Sequence, residues 1–181
     1  MPRAVRWRKT SRGSIISAEL RRWLCAWLLL AAAACTFAAV AENFRGVVTH
    51  VTDGDSLWVR PHGQRKTVEI RLLDIDAPEG CQAFGPQARA ALAARVLKQP
   101  VVVRTRGRDH YQRTLARVQH HNQDIGAWLV SEGHAWSTNY KGKPGRYERL
   151  EAQARRRAIG LWAGPQAVEP RGFRRSHGRC L

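Results

Sequence analysis

The chain has 181 residues, with 31 Lys and Arg against 14 Asp and Glu and a formal net charge of +17. That length holds one domain plus extras and excludes a second full domain. A charge so positive directs a small domain towards polyanions, although charge alone is also compatible with plain solubility.

Residues 1–41 read as an address rather than as structure. Arg3, Arg6, Arg8, Lys9, Arg12, Arg21 and Arg22 precede the apolar run WLCAWLLLAAAACTFAAV, and Ala39-Val40-Ala41 forms a small-x-small cleavage site. This is the three-part pattern of a secretory signal peptide. A single membrane anchor is the alternative, because the 19 residues from Trp23 to Ala41 come near the ~20 that span a bilayer. A lipid on Cys35 is a further one. Export leaves 24 basic and 13 acidic residues beyond position 41, net +11, and a chain long enough for one compact core.

Residues 44–60 predict a strand, an Asp-Gly turn and a second strand. Residues 66–73 alternate, with Val68, Ile70 and Leu72 on one face of a third strand. GPQARAALAARVLKQ (85–99) has Ala and Leu at helical spacing and Pro86 in the first turn. PVVVRTR and RTLARVQHH predict two more strands. DIGAWLVSEG predicts a short helix closed by Gly133, and residues 147–162 a longer one ending near Gly160, with Trp128 and Trp162 expected in the core. The basic tail, residues 164–181, is expected to be loose apart from Cys180. Five short strands with about three helices are an α+β pattern and fit a closed β-barrel of the oligonucleotide/oligosaccharide-binding (OB) kind. The folded domain is expected to span 42–163. Cys81 and Cys180 remain once the leader is gone, and an even pair in an exported chain predicts a disulfide; two free thiols are the alternative.

Three polar clusters interrupt these elements: Asp53-Gly54-Asp55-Ser56, then Arg71 with Asp76-Ala77-Pro78-Glu79, then Asp109-His110-Tyr111 with Arg113. Carboxylates brought together repel one another, and a hard cation such as Ca²⁺, which takes Asp, Glu and carbonyl oxygens, removes that penalty. Guanidinium groups bind phosphate oxygens in pairs and keep their charge. Two arginines beside a divalent cation suit the charge that builds on an attacked phosphodiester, and a carboxylate within reach could deprotonate the water.

Taken together, VTDGDSLWV, IRLLDIDAPE, the following Phe-Gly and helix, RDHYQRTLARV and EAQARRRAIGLW resemble the thermonuclease family, whose best-known member is staphylococcal nuclease. The resemblance covers roughly residues 44–163. It implies a five-stranded OB barrel with helices and calcium-dependent, sugar-nonspecific endonuclease action on DNA and RNA, leaving 3′-phosphate ends. By motif, Asp55 and Asp76 match calcium ligands, the carbonyl of Ala77 a further ligand, and Asp53 a neighbour of the metal. Glu79 matches the general base and Arg71 and Arg113 the phosphate-binding arginines. Tyr111 matches a tyrosine near the phosphate and Tyr140 a base-stacking tyrosine. Gln112 departs from the pattern where glycine usually precedes the second arginine, which bears on the aim of Arg113. The expected protein is a periplasmic or secreted monomer with no stable membrane association. The rival reading is a non-catalytic OB module that binds single-stranded nucleic acid.

Overall fold

The computed structural model describes residues 43–139, 142–164, 167–178 and 180. Residues 1–41, expected above to be a signal peptide, and Tyr140 lie outside the described residues. Strand β1 (Asn43–Asp53) turns through Gly54-Asp55 into β2 (Ser56–Pro61), and β3 (Val68–Leu72) follows, then the two-residue β4 (Ile75–Asp76). Helix α1 (Gly85–Val96) leads to β5 (Pro100–Arg108), β6 (Thr114–His120) and the short β7 (Gln123–Asp124). Helix α2 (Ile125–Ser131), β8 (Trp136–Ser137), α3 (Glu148–Arg156), a 3₁₀ turn (Gly160–Ala163) and α4 (Pro170–His177) complete the described chain.

The strands run in the order β3-β2-β1-β5-β6-β7, and a parallel pairing of β3 with β6 (Ile70 with Thr114, Leu72 with Ala116) closes five of them into a barrel. The fold is therefore α+β and of the OB type, as the pattern predicts. Alternation drives it: in β6, Thr114, Ala116, Val118 and His120 face inward and the residues between them do not, the period of a half-buried strand. Val48, Leu57, Val59, Ile70, Val103 and Val118 fill the barrel, and Leu92 and Val96 of α1 and Ile125 and Leu129 of α2 cover its ends. Each such side chain contributes roughly 1.5–3 kcal/mol by leaving water.

The structure departs from the sequence reading in three places. The third helix stops at Arg156, where Ala158 and Gly160 take positive φ (50° and 58°) and break the helical path. Trp128 only borders the core, whereas Trp136 is buried and Trp162 meets it edge-on at 5.2 Å, beneath Arg155. The tail is not loose: residues 170–177 form a fourth helix among the described residues.

His134 lies between Phe84 and Trp128 (ring centroids 5.8 and 5.7 Å) with Nδ1 buried and unpartnered. Burial holds its pKa below the ordinary 6.5, so the unfolded chain binds the proton more readily. Stability is therefore full above about pH 6.5 and falls as pH drops towards the depressed folded value. Melting temperature is expected to decline over that window, and His134→Phe to remove that part of the decline.

Candidate active site

The turn between β1 and β2 begins the site. Asp53 closes it by accepting the Asp55 N–H on Oδ1 (3.0 Å), an Asx turn. Gly54 lets this turn sit against the rest of the site: a Cβ there would lie 2.7 Å from the Ala77 Cβ and 2.9 Å from that of Ala88. Asp55 is consequently buried, at 5% exposure. Its Oδ2 accepts the Ala77 N–H (2.7 Å) and its Oδ1 the Ser56 hydroxyl (3.1 Å).

Strand register supplies the first arginine. Arg71 pairs with Ser56 across β2–β3 and with Leu115 across β3–β6, which places it over both acidic segments. Its guanidinium contacts the Asp55 carboxylate and donates from Nη2 to Asp76 Oδ1 (2.8 Å). Burial pulls the Arg71 pKa down, opposed by Asp76 and Asp53. Burial raises the Asp53 pKa, opposed by Arg71, Ser56 and Arg113.

Glu79 follows Pro78 at the end of the second acidic segment. Its N–H donates to Gln82 Oε1 (3.1 Å) and its carbonyl accepts the Gln82 N–H (2.9 Å). The next turn packs so tightly that a Cβ on Gly85 would stand 1.9 Å from the Glu79 carbonyl oxygen, so only glycine opens α1 there.

The loop from Asp109 to Arg113 delivers the second arginine. Asp109 Oδ1 accepts the N–H groups of Tyr111 (2.9 Å) and Arg113 (3.0 Å), and Oδ2 accepts from Arg113 Nε (2.8 Å). Burial acts to raise the Asp109 pKa, but these bonds outweigh it and the carboxyl titrates below its usual range. Gln112 takes φ 66°, the left-handed conformation that glycine adopts without strain. The Gln112 N–H still donates to the Asp109 carbonyl (3.0 Å) and the Asp109 N–H to the Arg113 carbonyl (3.0 Å). The turn therefore keeps its shape with Gln, and Arg113 lies 5.5 Å over the Tyr111 ring.

Asp53, Asp55, Arg71, Glu79, Tyr111 and Arg113 line one polar cleft of about 670 Å³. Asp76 joins it through Arg71, and Ala77, buried at 3%, through its bond to Asp55. Three motifs that begin at positions 53, 71 and 109 of the sequence thus meet at one barrel rim. Cys81 and Cys180 form a disulfide.

Three residues of the cleft lining, Glu69, Arg174 and Gly178, are not among those the sequence points to. Arg174 of α4 donates to Glu79 Oε1 (2.6 Å) and to both oxygens of Asp76 (3.3 and 3.0 Å). Its own burial acts to lower its pKa, but the bonds to Asp76 and Glu79 outweigh this and raise it. The sequence signal was Cys180: its bridge to Cys81, two residues past Glu79, brings the tail to the acids.

Asp55 and Asp76 are buried carboxylates that share the Arg71 guanidinium. Their oxygen-only donor set fits a hard cation. Among the described residues no group of three or more His, Cys, Asp or Glu converges on a metal position, so such a cation would complete its shell with backbone carbonyl and water.

Comparison with known proteins agrees with this geometry. The family profile described as Staphylococcal nuclease homologue matches residues 69–164. The chain is 41% identical over 145 residues to the micrococcal nuclease of Shigella flexneri, covering 74% of this chain and 82% of that one. It is 39% identical over 163 residues to Protein ParB of Escherichia coli, covering 82% and 91%. It is 37% identical over 128 residues to an uncharacterized endonuclease of Haemophilus influenzae, covering 71% of each.

Proposed function

We propose, for a chain that belongs to the staphylococcal nuclease family and is a nuclease, a calcium-dependent hydrolysis of both DNA and RNA that leaves 3′-phosphate ends. The observation that carries the reading is the meeting of Asp55, Arg71, Glu79 and Arg113 in one cleft. Asp55, Asp76 and the carbonyl of Ala77 would hold the cation. Ca²⁺ bound there supplies a Lewis acid that polarises a phosphoryl oxygen.

The chain's own groups do the rest. Arg71 and Arg113 donate to the non-bridging oxygens, where charge builds as water attacks phosphorus. Asp109 fixes the Arg113 guanidinium beforehand, so little order is lost on binding. Glu79 takes the proton of the attacking water. The bond from phosphorus to the 5′ oxygen breaks, that oxygen takes a proton from solvent to become a hydroxyl, and the phosphate stays on the 3′ side. Tyr111 borders the phosphate, and Tyr140 is assigned to stacking on a base. None of these contacts touches a base edge or the 2′ position, in keeping with action on both sugars. The basic surface holds the backbone without reading sequence.

The Cys81–Cys180 bridge supports export to the periplasm or the medium, since such bonds persist in oxidising compartments. Residues 1–41 would be the signal peptide that directs it, and the mature protein would act as a monomer free of the membrane.

End-group analysis tests the reading. Products are expected to resist extension by a DNA polymerase until a phosphatase removes the 3′-phosphate. Products extended at once, without phosphatase, would contradict cleavage at the 5′ oxygen.

A further inference from the structure

The mechanism above does not use Arg174, yet its guanidinium makes three hydrogen bonds to Asp76 and Glu79. Its Nη1 reaches Glu79 Oε1 and Asp76 Oδ1, and its Nη2 reaches Asp76 Oδ2. Arg71 takes Asp76 Oδ1 as well. Both oxygens of Asp76, and one of Glu79, are therefore occupied by guanidinium N–H groups. The segment that carries Arg174 is tied to the chain beside Glu79 on both sides of α4. Cys180 is bonded to Cys81, Gln82 Nε2 donates to the Val168 carbonyl (2.6 Å), and Pro170 is buried at the start of α4. Gln82 is the same residue that accepts the Glu79 N–H.

We propose that Arg174 is a tethered counter-cation: without metal it occupies the oxygens of Asp76, a ligand of the divalent cation, and holds the base Glu79 beside it, and arginine and metal exclude one another on Asp76. The inference rests on the calcium reading above. A guanidinium and a divalent cation want the same lone pairs and repel each other. A bidentate grip on a carboxylate is among the stronger hydrogen-bonding arrangements. Because Arg174 belongs to the same chain and is tied by the disulfide, its competition is intramolecular and does not weaken on dilution. The apparent metal affinity is then lower than that of the bare acids by the fraction of time Arg174 is away. Metal entry releases Glu79 from the guanidinium, which frees the base when the cation arrives. The tail thus keeps the acids compensated without metal and couples their use to the metal's presence.

Calcium titration of the full chain by calorimetry, with no nucleic acid present, reads this directly. Arg174→Ala is expected to bind Ca²⁺ about tenfold tighter than the unaltered protein, a coupling of ordinary size. Arg174→Gln, which keeps an amide donor and loses the charge, gives the same tightening. Arg174→Lys restores most of the unaltered affinity. The double variant Cys81→Ser, Cys180→Ser falls between, because Gln82 and Pro170 still hold the helix. Equal affinities for the unaltered protein and Arg174→Ala overturn the competition and leave the calcium reading standing. Weaker binding by Arg174→Ala overturns it too and makes Arg174 a support for the metal. Binding of Ca²⁺ by none of the proteins overturns both.

Discussion

Glu79→Gln is expected to lower the rate of phosphodiester hydrolysis by about 10²–10⁴-fold, the usual contribution of a positioned general base, the role proposed for Glu79 above, with little loss of fold. The amide has the size of the acid and cannot take a proton from water at neutral pH. The structure gives the reason to expect an effect confined to chemistry. Glu79 is anchored through its backbone to Gln82, so the loop keeps its shape without the carboxylate. The side chain reaches the cleft and retains 22% exposure, so no buried charge is left unpaired. Initial rates at saturating substrate, read beside melting curves, check this. A loss of less than tenfold in Glu79→Gln combined with Arg113→Ala would remove both residues from the reaction.

Arg113→Ala is expected to give the second large effect, a fall of about 10²–10³-fold, as when one donor to a developing oxyanion is removed, the role proposed for Arg113 above. Arg113→Lys recovers little of it, because an ammonium cannot reproduce the fork that reaches phosphate and Asp109 together. Of the two arginines, Arg113 gives the cleaner test. Its side chain is 26% exposed and its ion partner Asp109 lies on a surface loop. Arg71 stands between the buried carboxylates Asp55 and Asp76, and truncating one partner of such a group costs about 3–5 kcal/mol. Arg71→Ala therefore loses activity through folding as well as chemistry, and only Arg113→Ala separates the two by melting temperature against kcat.

Much of this was legible in the chain. Alternation in residues 66–73 and 114–120, Asp-Gly between two β-branched runs, and Pro86 ahead of an Ala-Leu helix are local signals, and the barrel follows from them. The acids and arginines carried their own chemistry, so Asp55, Arg71, Glu79 and Arg113 were named before their meeting in the cleft was visible. Gln112 looked out of place because the φ of 66° there suits glycine. Asp109 holds the turn with its side chain, a compensation that sequence order does not display.

The order of the tail is not legible in its own residues. A helix of eight residues is marginal on its own, and Pro, Gly and Arg dominate its surroundings. Pro170 in its first turn and Gly178 just past its end are nonetheless ordinary helix boundaries. What fixes it are contacts with residues almost a hundred positions away: Cys81 to Cys180, and Arg174 to Asp76 and Glu79. The bridge was expected, but its consequence for Arg174 depended on which face α4 presents to the acids.

The most direct measurement is degradation of plasmid DNA and of RNA by the purified protein, with added Ca²⁺ and with excess chelator. The account predicts that both polymers are degraded with Ca²⁺ and neither with chelator, and that Glu79→Gln abolishes the activity. Tight binding of nucleic acid without cleavage under any divalent cation would contradict it, and would make this barrel a binding module that keeps the letters of the site without its chemistry.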